Sequence, residues 1–165
     1  MEIKSTFTNQ ANQVLDVIYR EANPTNRLEG RIVQGVHAFC FCEGKFVLVY
    51  NGEKGSWTPP GGGIEPGETF EEAVTREVKE ETNMRVLQQK FIGYQDVFEP
   101  TKIVRQTRSV CLVEPFGDFI SDPDGDITEI KLIDPSDYKK YFDWGAVGSH
   151  LMSKAIKIAN SLKKE

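Results

Sequence analysis

Gly62-Gly-Ile-Glu-Pro-Gly-Glu68-Thr-Phe-Glu-Glu-Ala-Val-Thr-Arg76-Glu-Val-Lys-Glu80-Glu81-Thr-Asn-Met84 is the stretch that decides the fold. A glycine-rich turn runs into a segment of helical periodicity, where Glu77, Glu80 and Glu81 stand at i, i+3 and i+4. A helix brings residues at that spacing onto one face. At about 100° per residue, Phe70, Ala73, Val74 and Val78 fall within roughly 100° of Glu77, and so do Glu80 and Glu81. The acids therefore share the side meant for the core, while Glu72, Thr75 and Lys79 take the wet side.

Two carboxylates about 6 Å apart repel by about 3 kcal/mol at an effective dielectric of about 20. Three of them beside an apolar stripe must raise their pKa values or recruit a cation. Oxygen-only ligands favour a hard ion such as Mg²⁺ or Mn²⁺. A solvated acidic face is the usual origin of a charge run, but the position of these acids around the helix argues against it. The ends are also specified. Thr69 with Glu72 is a capping-box pattern that predicts a helix over about 70–82, starting at Phe70. Asn83 suits a left-handed helix end. Glu72, Arg76 and Glu80 form an i, i+4 ladder that can orient Glu80. Pro59-Pro60-Gly61-Gly62-Gly63 lets backbone approach a ligand without side chains in the way.

These residues closely resemble the box of the Nudix hydrolases, G-x5-E-x7-R-E-U-x-E-E-x-G-U, with U a bulky aliphatic residue. The chain reads Gly62, Glu68, Arg76, Glu77, Val78, Glu80 and Glu81, then Asn83 where the family has Gly, and Met84. Trp57-Thr-Pro-Pro-Gly-Gly also looks like the family's lead-in. A multi-position match at fixed spacing is far more specific than a lone glycine motif. The box covers about a seventh of the chain, and the strand pattern extends the resemblance to most of the rest. The resemblance implies an α/β/α sandwich with a mixed sheet. It also implies metal-dependent hydrolysis of a phosphoanhydride in a nucleoside diphosphate linked to another group, X. Carried over by position, Glu77, Glu80, Glu81 and the backbone carbonyl of Gly61 would bind Mg²⁺ or Mn²⁺, which activates water and neutralises developing charge. Glu68 and Arg76 would orient those ligands. Glu77 or Glu80 could take the water's proton, as could an acid from a loop, for which Glu129, Asp126 and Asp124 are candidates.

Composition fits one compact domain. The chain has 165 residues, a net charge of −5 and no apolar run of membrane-spanning length. The acidic balance gives no electrostatic case for nucleic-acid binding. Met1-Glu-Ile-Lys-Ser-Thr lacks the pattern of a secretion signal, so a cytoplasmic monomer or homodimer acting on a small nucleotide is expected. Cys40, Cys42 and Cys111 read as buried free thiols. His37 and His150 have no nucleophile or acid at a recognisable spacing and read as structural.

Along the chain, Ala11–Ala22 reads as an amphipathic helix after Asn9, with Val14, Leu15 and Ile18 inward. Residues 1–30 are thus expected to form a helical extension packed on a domain spanning 31–165. Strands are expected over Arg31–Cys42, Lys45–Tyr50, Val86–Val97, Val104–Glu114 and Thr128–Ile133, with a final helix over about 149–162. Substrate contacts are expected from outside the box. Trp57, Tyr94 and Phe98 could stack on a base, and Lys102, Arg105 and Arg108 could reach phosphates. Pro100 falls near a proline of some ADP-ribose-cleaving members. Nucleoside triphosphates, ADP-ribose or another nucleotide sugar, and dinucleoside polyphosphates all stay open. The alternative is a non-catalytic Nudix-like module that binds a nucleotide and regulates a partner; such modules usually have a broken acid cluster.

Overall fold

The computed structural model describes residues 1–162. Nine strands form one mixed sheet: β1 (Glu2–Thr8), β2 (Val14–Arg20), β3 (Arg31–Cys42), β4 (Lys45–Asn51), β5 (Ser56–Thr58), β6 (Gly61–Gly63), β7 (Met84–Phe98), β8 (Ile103–Pro115) and β9 (Ile127–Ile133). The main path runs β1-β2-β7-β8-β3-β4-β5, with β6 on β3 and β9 on β4. Among the described residues only the β3–β8 pairing is parallel.

A helix covers each face. Helix α1 (Phe70–Thr82) buries Ala73, Val74 and Val78 against Val36, Ala38, Cys40, Val47, Cys111 and Val113. Helix α2 (Gly145–Leu162) buries Val147, Leu151, Met152, Ala155 and Ala159 against Tyr19, Phe39, Phe41, Phe46, Ile92 and Val110. Each fully buried aliphatic or aromatic side chain contributes about 1.5–3 kcal/mol. The alternation of β3 produces the two layers: Val36, Ala38 and Cys40 face α1, and Phe39 and Phe41 face α2. This is the expected α/β/α sandwich. All three cysteines are free and buried. No described helix is long and apolar enough to cross a membrane.

The N-terminal expectation is corrected. No helix forms over Ala11–Ala22; Val14–Arg20 is strand β2, paired with β1 on one side and β7 on the other. Asn9, read as a helix cap, instead accepts from the backbone N–H groups of Ala11 and Gln13 in the hairpin turn. The sequence suits both periods, because Leu15, Val17 and Tyr19 also alternate and are the residues buried. A run of β-branched and aromatic residues beside an open edge of β7 favours the strand. The final helix also starts earlier than expected, at Gly145.

Candidate active site

The capping box forms as its residues dictate: Thr69 Oγ1 accepts from Glu72 N–H, and Glu72 Oε1 accepts from Thr69 N–H. Asn83 ends the helix at φ 55°, and its side-chain amide donates to the Asp118 carbonyl. Helix α1 is thereby fixed against β6, whose glycines lie antiparallel to β3 with Gly61 opposite His37 and Gly62 opposite Val36.

Glycine is required at both positions. A Cβ on Gly62 would stand 2.5 Å from the Glu77 carboxylate, and one on Gly61 would stand 2.9 Å from the His37 ring. Successive residues of β6 thus face opposite layers, the acids on the α1 side and His37 on the α2 side.

Arg76 organises the acids. Its Nε and Nη2 donate to Glu68 at 2.6 and 2.9 Å, Nη2 also to the Gly63 carbonyl at 2.8 Å. Nη1 donates to Glu77 at 2.8 Å and to Glu80 at 3.3 Å. Glu81 has one protein partner, the Gly61 N–H at 2.8 Å. The Arg76 guanidinium holds Glu68 low, at about 2. Burial pushes Glu77 up to about 7, with Glu80 and Asp124 adding to it against the pull of Arg76. Burial also pushes Glu81 up to about 8; Gly61 N–H opposes this, and Glu77, Asp122 and Glu80 reinforce it. Glu80 is raised by burial and by Asp124.

Among the described residues no three acidic, histidine or cysteine side chains are already gathered as a metal shell. Arg76 stands between Glu77 and Glu80 instead. The donor set nonetheless fits a hard divalent ion: three carboxylates on one helix face, two of them buried at 7% and 9% exposure, with a single guanidinium against them. A cleft of about 510 Å³ opens beside them, between Arg76 and Glu80 on α1 with Asn83 just past its end, and Asp118, Ile120 and Pro123. Asp122, missed in the sequence, is buried in that loop and accepts from Asp124 and Ile127 N–H.

The expected substrate residues separate. Trp57 packs on Tyr50 and Tyr141, with Lys131 over its ring, at the strand leading to the glycines. Glu129 is exposed on β9 opposite Tyr50. Phe98 closes the far end of β7 opposite Ile103, and Lys102 pairs with Glu99. Tyr94 is buried beneath the Arg105 guanidinium, 3.7 Å away. Arg105 is not available to phosphates: it is fully buried, bidentate to Asp96, and bonded to the carbonyls of Pro24, Asn26 and Arg27. The expected reach of Arg105 to a phosphate fails because the folded β7–β8 register sets Asp96 opposite it. Arg108, by contrast, is buried against His37 and Trp144 with no carboxylate partner among the described residues. Burial pushes it down to about 10. Burial, Arg108 and Lys54 hold His37 neutral, well below its ordinary pKa.

The NUDIX domain model matches residues 32–152. YtkD of Bacillus subtilis (strain 168), provisionally named an 8-oxo-dGTP diphosphatase, is 40% identical over 70 residues, which is 41% of this chain and 44% of YtkD. The match therefore spans less than half of that relative. The crystal structure of the Bacillus subtilis pyrophosphohydrolase BsRppH superposes with a TM-score of 0.72 at 23% identity, over 94% of this chain and 97% of that one. The NUDIX domain of Shewanella oneidensis NrtR, solved with ADP ribose, gives 0.55 at 17% identity over 67% and 78%. With the box on α1, the sandwich around it and the family model over most of its length, this chain belongs to the Nudix family.

Proposed function

We propose that the protein is a divalent-metal-dependent pyrophosphohydrolase acting on a nucleoside diphosphate linked to X. The observation that carries this reading is the intact trio Glu77, Glu80 and Glu81, oriented by Arg76 beside the glycine backbone of β6. A non-catalytic module has no need of that trio. Mg²⁺ or Mn²⁺ bound by the trio and the Gly61 carbonyl would supply Lewis-acid chemistry.

The chain's own residues do the rest. Glu68 fixes Arg76, which sets the directions of the Glu77 and Glu80 carboxylates. The Gly61 N–H sets that of Glu81. At Gly63 the backbone has open space beside it, since a Cβ there would meet only the Gln34 carbonyl, at 3.8 Å. Of the loop acids, Asp124 is the one whose charge raises both Glu77 and Glu80, which makes it the first to test, beside Glu77 and Glu80 themselves, as acceptor of the attacking water's proton. The segment shared with YtkD supports a nucleoside triphosphate as the first substrate to test.

The test is product analysis across triphosphates, nucleotide sugars and dinucleoside polyphosphates in ¹⁸O water with Mg²⁺ or Mn²⁺. A nucleoside monophosphate plus pyrophosphate or phosphorylated X is expected. Glu81→Gln should lower turnover at least about a hundredfold, roughly 2.7 kcal/mol of barrier. Full turnover in a chelator, or faster cleavage of monophosphates than of any diphosphate, would sink the reading.

A further inference from the structure

Two arginines three positions apart on β8 are both buried, yet their surroundings differ in kind. Arg105 has Asp96 and three backbone carbonyls as acceptors. Arg108, 3% exposed, has no carboxylate partner among the described residues, and its buried Nε has no hydrogen-bond partner among them. A guanidinium held that deep for packing alone leaves a costly unmet donor. It calls for another purpose.

Its Nη1 reaches His37 Nδ1 at 3.2 Å and the Thr107 carbonyl at 3.1 Å. A guanidinium has donors and no acceptor. His37 Nδ1 must therefore accept, and the neutral ring carries its proton on Nε2. Trp144 packs edge-on against the imidazole, centroids 5.4 Å apart at 76°, and the Arg108 guanidinium lies 5.5 Å from the Trp144 ring. Ring orientation and tautomer are thus both set from behind.

The front edge of the ring borders the glycine strand. His37 pairs with Gly61, and its Cδ2, the carbon bonded to Nε2, lies 2.9 Å from where a Cβ on Gly61 would stand. No described protein atom accepts from Nε2. We infer that His37, fixed by Arg108 as the Nε2–H tautomer, donates a hydrogen bond to a phosphoryl oxygen of the substrate's diphosphate. That bond is made from the α2 side of β6, while the glutamates act from the α1 side. His37 touches the substrate; Arg108 is a positioning residue acting through it. The inference rests on the diphosphate reading above.

The chain contains two histidines, so ¹⁵N-histidine labelling with a long-range ¹H–¹⁵N correlation spectrum reads the tautomer directly, and His150→Gln assigns the signals. His37 should show a bare Nδ1 and a protonated Nε2 in the free protein. The Nε2 signal should shift when α,β-methylene-ADP and Mg²⁺ are added. Arg108→Met should mix the tautomers. In turnover, His37→Ala should lose about ten- to hundredfold in kcat/KM, equally for adenine and guanine nucleotides, as expected for one lost bond to a charged group. His37→Gln, which keeps an N–H near the same place, should recover most of it. A protonated Nδ1, an unmoved Nε2 signal, full activity of His37→Ala, or a loss confined to one base would overturn the inference while metal-dependent turnover of the wild type left the diphosphate reading standing. A wild type inert on every diphosphate would overturn both.

Discussion

Replacing Asp96 by alanine tests what holds the sheet to the segment that crosses it. Asp96 is fully buried and accepts from Arg105 Nε at 2.8 Å, Arg105 Nη2 at 3.1 Å and Arg31 Nε at 3.0 Å. Its loss leaves the Arg105 guanidinium in the interior without a counter-charge. Breaking a buried pair from one side costs about 3–5 kcal/mol. Arg105 keeps the carbonyls of Pro24, Asn26 and Arg27, so the lower end applies, about 3 kcal/mol. Arg31 is partly exposed, and its pair adds at most about 0.5 kcal/mol. For a domain of this size, about 3 kcal/mol corresponds to a Tm lower by about 6–12 °C. Urea unfolding gives the free energy and a thermal melt the temperature. Asp96→Asn, which keeps the shape and loses the charge, should fall between the two. A loss below about 1 kcal/mol for the alanine variant would refute the reasoning, since the pair would then behave like a surface ion pair.

Other outcomes follow from single contacts. Asn83→Val should destabilise by about 1–2 kcal/mol, because a β-branched side chain resists positive φ, while Asn83→Gly should stay within about 1 kcal/mol of wild type, losing only the bond to Asp118; thermal melts compare them. Gly62→Ala forces a methyl into the Glu77 carboxylate, so stability should fall by about 1–3 kcal/mol and turnover at least about tenfold, read by melts and initial rates. Glu21 is pushed up by burial, but hydrogen bonds from His150 and Lys154 outweigh this and hold its carboxyl below the ordinary value. A depressed carboxyl stabilises above its unfolded pKa and ceases to as pH falls through the folded one. Glu21→Gln should therefore cost about 1 kcal/mol at pH 7, allowing for its partial exposure, and progressively less as falling pH protonates the carboxyl; urea unfolding across a pH series checks it.

Helix α1 was legible to the residue because its start, its end and its buried stripe are all local. Thr69 and Glu72 bond each other across one turn, and Asn83 needs only its own backbone. Strand β2 was not legible, because Val14–Arg20 carries both periods and the deciding partner, the β7 edge, is about 80 residues away. A much shorter separation, nine residues between Asp96 and Arg105, still hid the difference between Arg105 and Arg108. Both read as strand cations, and only the β7–β8 register, which sets Asp96 against Arg105 and Gly93 against Arg108, separates them. The box acids could be named in advance; His37 could not, since its meaning comes from facing Gly61 and Arg108 across two pairings.

The hairpin β1–β2 sits outside the residues that match the family model, which begin at 32. Yet it caps β7 from Tyr94 to Phe98, it contributes Tyr19 to the core beneath α2, and the segment after it brings the carbonyls that receive Arg105. Cutting the gene at the family boundary would remove all three together. The trimmed product would keep Asp96 against Arg105 but present a bare strand edge beside a buried guanidinium stripped of its three carbonyl acceptors, which favours aggregation over a minimal enzyme. For anyone designing a shorter version or a fusion, the usable start of this protein is the beginning of its hairpin.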